Sequence, residues 1–281
     1  HRRCFSLAGS PHRPDGTLEL TIKANPAGRV SRHLVDHAAP GLVLRLSEAR
    51  GDFVLPEPRQ RHRHLLFVSG GSGITPVLAM LRTLVDEGHR GPVTFLHYAL
   101  TAEDLTYGPE LARLVDALPE GCLLLGLTDA PGAGDLDGFF GAEHLAAVTA
   151  DPTELDVFLC GPTPLMAAVE RCFADLDLAD RVHLERFGPP PVDPDLLVDG
   201  AVVTFARSGL TVAAEGTLLQ TAEAAGLTPP TGCRRGICGT CTTPRTAGVV
   251  RDLTSGAASS ADAGPVRLCT AVPCGEVVVD L

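Results

Sequence analysis

The sequence predicts a multidomain chain: a β segment over residues 1–63, a parallel α/β domain over 64–188, a proline-rich linker over 189–199 and a small α+β domain over 200–281. Three observations predict this. Strand and helix patterns alternate from His64 to Phe187, the signature of a parallel sheet covered by helices. Three consecutive prolines, Pro189 to Pro191, then stop any regular element and make a stiff spacer. Beyond them the pattern restarts with strands and a tight cysteine loop, "GCRRGICGTC" at 232–241.

In chain order, "RRCFSLAG", "TLELTIKA" and "LVLRLSE" read as strands, the last a clean alternation. "SRHLVDHA" predicts one short helix with Ser31 as its cap. These strands are too few to close a barrel. "HLLFVSG" is a buried strand ending in glycine, followed by the helix "TPVLAMLRTLVDEG", for which Thr75 is the expected cap with Pro76 at the first helical position. "PVTFLHYA", the helix "GPELARLVDAL", "CLLLGLT", "ELDVFLCG", the helix "PTPLMAAVERCF" and "RVHLERF" continue the alternation. A ligand of such a sheet sits at the carboxyl ends of its strands. In the last domain "AVVTFA", "LTVAA" and "GEVVVDL" predict strands and "TLLQTAEAAG" a helix.

Composition narrows the function classes. The net charge is -11 and no Lys/Arg-rich patch stands out, which argues against a nucleic-acid partner. No run approaches the roughly 18 apolar residues that span a bilayer. The nine cysteines are concentrated at the C-terminal end or sit in apolar runs, as Cys122 and Cys160 do. That distribution fits a reducing compartment, hence a cytoplasmic protein, better than a disulfide scaffold.

The loop carries the chemistry. Cys233, Cys238 and Cys241 follow a C-x4-C-x2-C spacing, and 27 residues separate Cys241 from Cys269. Zinc sites pair cysteines in two short knuckles, and only one such pair exists here. The spacing is that of a plant-type [2Fe–2S] centre, which carries one electron at a time. Gly232, Gly236 and Gly239 allow the tight turns and let N–H groups approach the sulfurs. Arg234 and Arg235 are expected to offset the cluster's negative charge. Cys274, next to Pro273 and Gly275, competes with Cys269 as fourth ligand; the strand-like setting "RLCTAV" favours Cys269. Zinc and free structural thiols stay open as alternatives.

A second signal is the turn "VSGGSGITP" at 68–76, where Gly71 and Gly73 precede a helix whose free N–H groups can seat a phosphate. "CGPTPLM" at 160–166 supplies another glycine-proline turn at a strand end. Two such turns at one sheet edge suggest a shared crevice.

"RCFSLAG", "GGSGITP" and "CGPTPLM", in that order and followed by the cysteine loop, resemble the ferredoxin-NADP+ reductase superfamily, in the arrangement flavin domain, nicotinamide domain, ferredoxin domain. The resemblance spans essentially the whole chain. It implies a partial antiparallel β-barrel for the flavin segment, a parallel α/β nicotinamide domain and a C-terminal β-grasp domain of the plant-type ferredoxin kind. It implies FAD, with Arg3 at the flavin phosphates, Phe5 against the ring and Ser6 near the atom that receives hydride. Phe5 stands where the family pattern has Tyr. Ile22 and Lys23 fall in the next flavin-contacting strand, and Gly28, Val30 and Ser31 in the turn that grips the pyrophosphate. In the nicotinamide domain the resemblance assigns Gly71, Gly73, Thr75 and Pro76 to the dinucleotide loop, and Cys160, Gly161, Pro162 and Met166 to the turn beside the nicotinamide. Glu185 and Phe187 fall at the strand end that reaches the flavin. Ser6, Cys160 and Glu185 are thereby the expected catalytic residues, and Cys233, Cys238, Cys241 and Cys269 the iron ligands.

The family carries a longer run of strands before its glycine loop than the 69 residues that precede Gly70 here, so an upstream extension completing the barrel is expected. The implied activity passes electrons from NADH or NADPH through FAD and the cluster to an acceptor protein such as an oxygenase, a desaturase or a cytochrome P450. Leu100, Leu127, Glu103, Asp104 and Asp129 near the nucleotide's ribose end, with Arg113 the nearest cation, lean toward NADH. The alternative is a non-catalytic electron-transfer or redox-sensing module.

Overall fold

A computed structural model of the chain describes residues 3–13, 15–26, 28–189 and 192–281; two linker prolines, Pro190 and Pro191, and Arg2 of the first expected strand lie outside them. The chain forms two compact units, one from residues 5–43 and 52–185, the other from the described residues of 1–4, 44–51 and 186–281.

In the first unit, α1 (Arg29–His37) is the short helix expected there, but Gly28 is its N-cap and Ser31 lies inside it. The Ser31 hydroxyl instead accepts from the Asn25 N–H at 3.1 Å. The three strands expected before His64 do not form ladders among the described residues; a single antiparallel bridge joins Leu7 to Leu20. Alternation makes a segment fit to be a strand, yet a strand forms only where another backbone lies alongside to take its hydrogen bonds.

The α/β core follows. β1 (His64–Gly70), β2 (Val93–Ala99), β3 (Gly121–Leu127), β4 (Leu136–Asp137), β5 (Leu155–Cys160) and β6 (Val182–Leu184) form one parallel sheet in the order β4-β3-β2-β1-β5-β6. The helices are α2 (Ile74–Asp86), α3 (Gly108–Asp116), α4 (Ala142–Val148) and α5 (Thr163–Ala174). Leu65, Phe67, Val93 and Phe95 share one apolar cluster with Ile74, Leu78 and Leu81 of α2. Leu66, Val68, Leu96 and Val157 share the other with Met166 and Phe173 of α5. Burial on both faces is why these strands read as continuous apolar runs. Strand order reverses at β1, where β2 lies on one side and β5 on the other, so the crevice for a ligand opens between the ends of β1 and β5.

Arg82, on the otherwise apolar α2, ties the N-terminal segment to this core. The residue is 5 % exposed, and its guanidinium donates to the Ala8 carbonyl at 2.6 Å, to Glu19 at 2.8 Å and to Glu110 at 2.7 Å. The guanidinium also lies 5.5 Å from the ring centre of Tyr107. Arg82→Met keeps the apolar stem and strands two carboxylates and a carbonyl. Because both carboxylates are partly exposed, the expected cost is roughly 2–3 kcal/mol, read as a lowered urea midpoint. An unchanged midpoint would show that Glu19 and Glu110 are stabilised by water alone.

His97 is fully buried, its Nδ1 2.8 Å from the Ser69 hydroxyl, and Nε2 has no partner among the described residues. Burial holds its pKa down at about 4 against an ordinary 6.5. The unfolded chain therefore binds the proton first. This contribution is complete above pH 6.5 and is lost as pH falls through 4, roughly 3 kcal/mol in all. The urea midpoint is expected to fall between pH 6.5 and 5, and His97→Asn to flatten that slope; equal slopes would refute the assignment.

The second unit holds β7 (Val202–Phe205), β8 (Leu210–Ala213), α5's successor α6 (Leu218–Ala224), β9 (Thr242–Ala247), β10 (Val250–Asp252), β11 (Gly264–Arg267), β12 (Ala271–Pro273) and β13 (Glu276–Val279). Five strands make a mixed sheet, β11-β9-β13-β7-β8, in which β13 and β7 run parallel; β10 and β12 pair separately. Helix α6 carries a reciprocal capping box between Thr217 and Gln220. Its Leu218, Leu219 and Ala222 join Val203, Phe205 and Val277 in the core.

Candidate nucleotide crevice and iron–sulfur centre

The crevice is built by two turns that interlock because they are glycine. A 3-10 turn, Gly71–Gly73, leads into α2, whose N-cap is Gly73. Thr75, the expected cap, is inside the helix, and its hydroxyl donates to the Ser72 carbonyl at 3.2 Å. Glycine takes the cap because nothing larger fits. A Cβ on Gly73 would stand 2.2 Å from the Cys160 carbonyl oxygen and 2.7 Å from the Cα of Gly161. Gly70 meets Pro162 in the same way, at 2.8 Å. The first turn of α2 has no side-chain cap and no acidic residue, so its N–H groups are left for an anionic ligand. Thr75, Pro76 and Cys160 are buried beneath this turn. Met166, assigned to the nucleotide turn, lies in the first turns of α5, 1 % exposed and packed in the apolar core.

At the neighbouring strand end, the Glu185 N–H extends the sheet by donating to the Leu159 carbonyl at 3.0 Å. The Ser6 hydroxyl donates to the Glu185 carboxylate at 2.8 Å. The structure thus brings together two of the expected catalytic residues, 179 positions apart, beside the strand that ends in Cys160. A hydroxyl on a carboxylate is a proton path in either direction. Phe5 and Ile22 are half-buried in the same unit, and Lys23 is exposed. The Gly28-Arg29-Val30-Ser31 turn starts α1, again without a side-chain cap or a first-turn acid. A Cβ on Gly28 would lie 2.6 Å from Ser31 Oγ, which would have to swing aside and give up its bond from Asn25. These features fit a flavin dinucleotide's pyrophosphate. Phe187 and Arg3 belong to the second unit; Phe187 lies 5.9 Å below the Arg235 guanidinium and Arg3 is exposed.

The cysteine loop divides its sulfurs into two pairs. In one, the Cys233 N–H donates to Cys238 Sγ at 3.2 Å and the Cys238 N–H to Cys233 Sγ at 3.3 Å. In the other, Cys241 Sγ and Cys269 Sγ are 3.3 Å apart, and the Gly236 N–H donates to Cys269 Sγ at 3.2 Å. The Arg235 N–H adds a bond to Cys233 at 3.3 Å. Positive φ at Arg234, Gly236 and Gly239 turns these amides inward. A Cβ on Gly232 would press on Cys238 Sγ at 2.6 Å. The contact between the inner pair lowers the pKa of the Cys241 thiol, while that contact and burial raise that of Cys269. Four sulfurs paired two and two, ringed by N–H donors, fit a cluster of two irons. Cys274 is elsewhere, its Sγ 3.9 Å from the Val272 carbonyl.

Both loop arginines also have protein partners. Arg234 binds Glu223 through both nitrogens, at 2.8 and 2.5 Å, and its charge also acts on Cys269. Arg235 donates to the Arg186 carbonyl at 2.6 Å and covers Phe187. The residue missed from sequence is Cys4, whose sulfur lies within 4.8 Å of those of Cys233 and Cys238. No spacing rule links a cysteine 229 positions away to the loop; only the fold does.

Comparisons with known proteins agree with both sites. Residues 67–171 match the oxidoreductase NAD-binding domain and residues 203–274 the 2Fe-2S iron-sulfur cluster binding domain. An NADPH oxidoreductase of Mycobacterium tuberculosis is 37% identical, over 99% of this chain and 72% of its own. The glycine betaine monooxygenase reductase subunit of Pseudomonas aeruginosa is 32% identical over 99% of this chain and 82% of its own. Among solved structures, an intact type IV self-sufficient cytochrome P450 monooxygenase superposes with a TM-score of 0.64 at 27% identity, over 99% of this chain and 35% of that one. Phthalate dioxygenase reductase superposes with a TM-score of 0.58 at 23% identity, over 99% and 83%, which supports the fold. The chain belongs to the ferredoxin-NADP+ reductase superfamily, as an oxidoreductase that passes electrons from NAD(P)H through FAD to a [2Fe–2S] cluster in its own C-terminal domain.

Proposed function

We propose that this chain is the NADH-oxidising reductase of a cytoplasmic oxygenase system, delivering single electrons to a monooxygenase. The thiol quartet, two pairs in one chain with a nucleotide crevice, carries this reading. Relatives named as reductase components of glycine betaine and 3-ketosteroid-9-alpha monooxygenases support the class of acceptor. When bound, the flavin takes a hydride and the cluster carries electrons one at a time. The residues supply position. The segments 1–63, 64–188 and 200–281 hold flavin, nicotinamide and cluster in turn, joined by 189–199. The first turns of α1 and α2 hold the two pyrophosphates, with Gly28, Val30 and Ser31 on one and Gly71, Gly73, Thr75 and Pro76 on the other. Phe5, Ile22 and Lys23 hold the flavin. Gly161 and Pro162 keep the second turn tight around Cys160. Ser6, held by Glu185, moves or retains a proton where hydride arrives. Cys233, Cys238, Cys241 and Cys269 bind the irons. No disulfide joins cysteines among the described residues, which suits a reducing compartment, and no helix among them is long and apolar enough to cross a membrane.

NADH is favoured by charge. Between positions 91 and 170 the sole basic residue other than histidine is Arg113, on α3. The ends of β2, β3 and β4 carry Glu103, Asp104, Asp129 and Asp137 instead. Asp104 is held by Thr101, and Asp129 by Thr128. A 2'-phosphate would face these carboxylates without a cation, a juxtaposition that costs several kcal/mol, whereas a ribose diol can donate to them. Anaerobic titration followed by optical and EPR spectra tests the whole reading. NADH is expected to reduce flavin and then cluster, with kcat/KM at least roughly tenfold above NADPH, about 1.4 kcal/mol. Preference for NADPH, in line with the name of the mycobacterial relative, would overturn the nucleotide assignment. Reduction of flavin with no transfer to the cluster would overturn the relay.

A further inference from the structure

Cys4 is a fifth thiol at the cluster. It belongs to the same compact unit as the cysteine loop, and its sulfur and those of Cys233 and Cys238 all lie within 4.8 Å of one another. Two thiolates on one tetrahedral metal ion, each about 2.3 Å from it, stand roughly 3.8 Å apart. One iron position therefore falls within reach of all three sulfurs. The inner pair, Cys241 and Cys269, is buried at 4 % and 1 % exposure, and among the described residues no third thiol joins it. The two ends of the cluster site thus differ: one is served by two thiols, the other by three.

We propose that Cys4 is a reserve ligand for the iron position held by Cys233 and Cys238. Its thiol displaces one of them from the metal. The Cys4–metal bond forms, the old sulfur–metal bond breaks, and the proton released by Cys4 passes to the departing sulfur. No electron is transferred, so no oxidant is needed. Cys4 is exposed while its two neighbours are half-buried, which lets it meet an incoming ion first and hand it inward during assembly. The idea rests on the quartet being the cluster's ligand set.

The test measures metal, not turnover. Cys233→Ala, Cys238→Ala and the double variant Cys4→Ala/Cys233→Ala are purified without air and assayed for iron, labile sulfide and the EPR signal of the reduced cluster. Cys233→Ala or Cys238→Ala is expected to keep at least about half of the wild-type iron, with shifted g-values, and the double variant to fall below about a fifth. Equal iron in the single Cys233→Ala and the double variant, high or low, overturns the proposal. Wild type that binds no iron would refute the quartet itself, a different failure from that one.

Discussion

Gly73→Ala is expected to lower NADH-driven reduction of ferricyanide, an acceptor that draws electrons from the flavin, by about 100-fold, because misplacing reacting groups by roughly 1 Å has that effect. The cause is steric and local. The added methyl would stand 2.2 Å from the Cys160 carbonyl oxygen and 2.5 Å from its carbon. Both are backbone atoms at the end of a strand buried on both faces, so they cannot turn aside as a side chain would. The helix start must retreat from β5, and the anion cradle and the turn at Cys160 separate together. Gly71→Ala is the control. It adds a methyl where nothing lies within 4 Å, at a φ of 51°. The cost there is backbone strain alone, on the order of 1 kcal/mol, with the crevice intact. The expected pattern is a large loss for Gly73→Ala and a loss below about fivefold for Gly71→Ala. Equal losses would mean that the loop acts through its flexibility and the interlock is irrelevant.

The contrast shows what the sequence could carry. Glycine at 71 and 73 was readable as a phosphate turn, but not which of the two is fixed by φ and which by contact, since contact depends on Cys160 at the end of a distant strand. The parallel sheet was legible because its strands are apolar on both faces and each helix is announced by a glycine or proline. The cysteine quartet was legible because the spacing of four ligands is itself the geometry. The N-terminal segment was legible only as strand-like: Leu7 and Leu20 find each other, and the rest find no ladder. Long-range polar contacts left no trace in pattern. Arg82 interrupts an apolar helix, which marks it as odd, yet its partners Ala8, Glu19 and Glu110 come from two distant segments. Ser6 and Glu185 could be paired in advance only through resemblance, and Cys4 not at all.

Removing Cys241 should have the second large effect, and it separates the two halves of the electron path. Cys241→Ala is expected to leave less than about a fifth of the wild-type iron and to lower electron delivery to an acceptor protein by at least roughly 100-fold, while ferricyanide reduction stays within about twofold. Hydride enters at the crevice in the other unit, whose residues the substitution does not touch. The inner pair is the vulnerable one. Its sulfurs sit 3.3 Å apart in the core, and no further cysteine among the described residues stands close enough to replace either. Alanine there fits an apolar cluster lined by Leu268, Ala271 and Val250, so the fold should survive the loss of metal and the effect is on the cluster. Cys274→Ala supplies the comparison: its sulfur bonds weakly to the Val272 carbonyl at 3.9 Å, away from the quartet, and iron content and acceptor reduction should both match wild type. If instead Cys274→Ala lost the iron and Cys241→Ala kept it, the two-and-two pairing of sulfurs would be the wrong description of the metal site, and the charge and amide geometry around Cys269 would need another purpose.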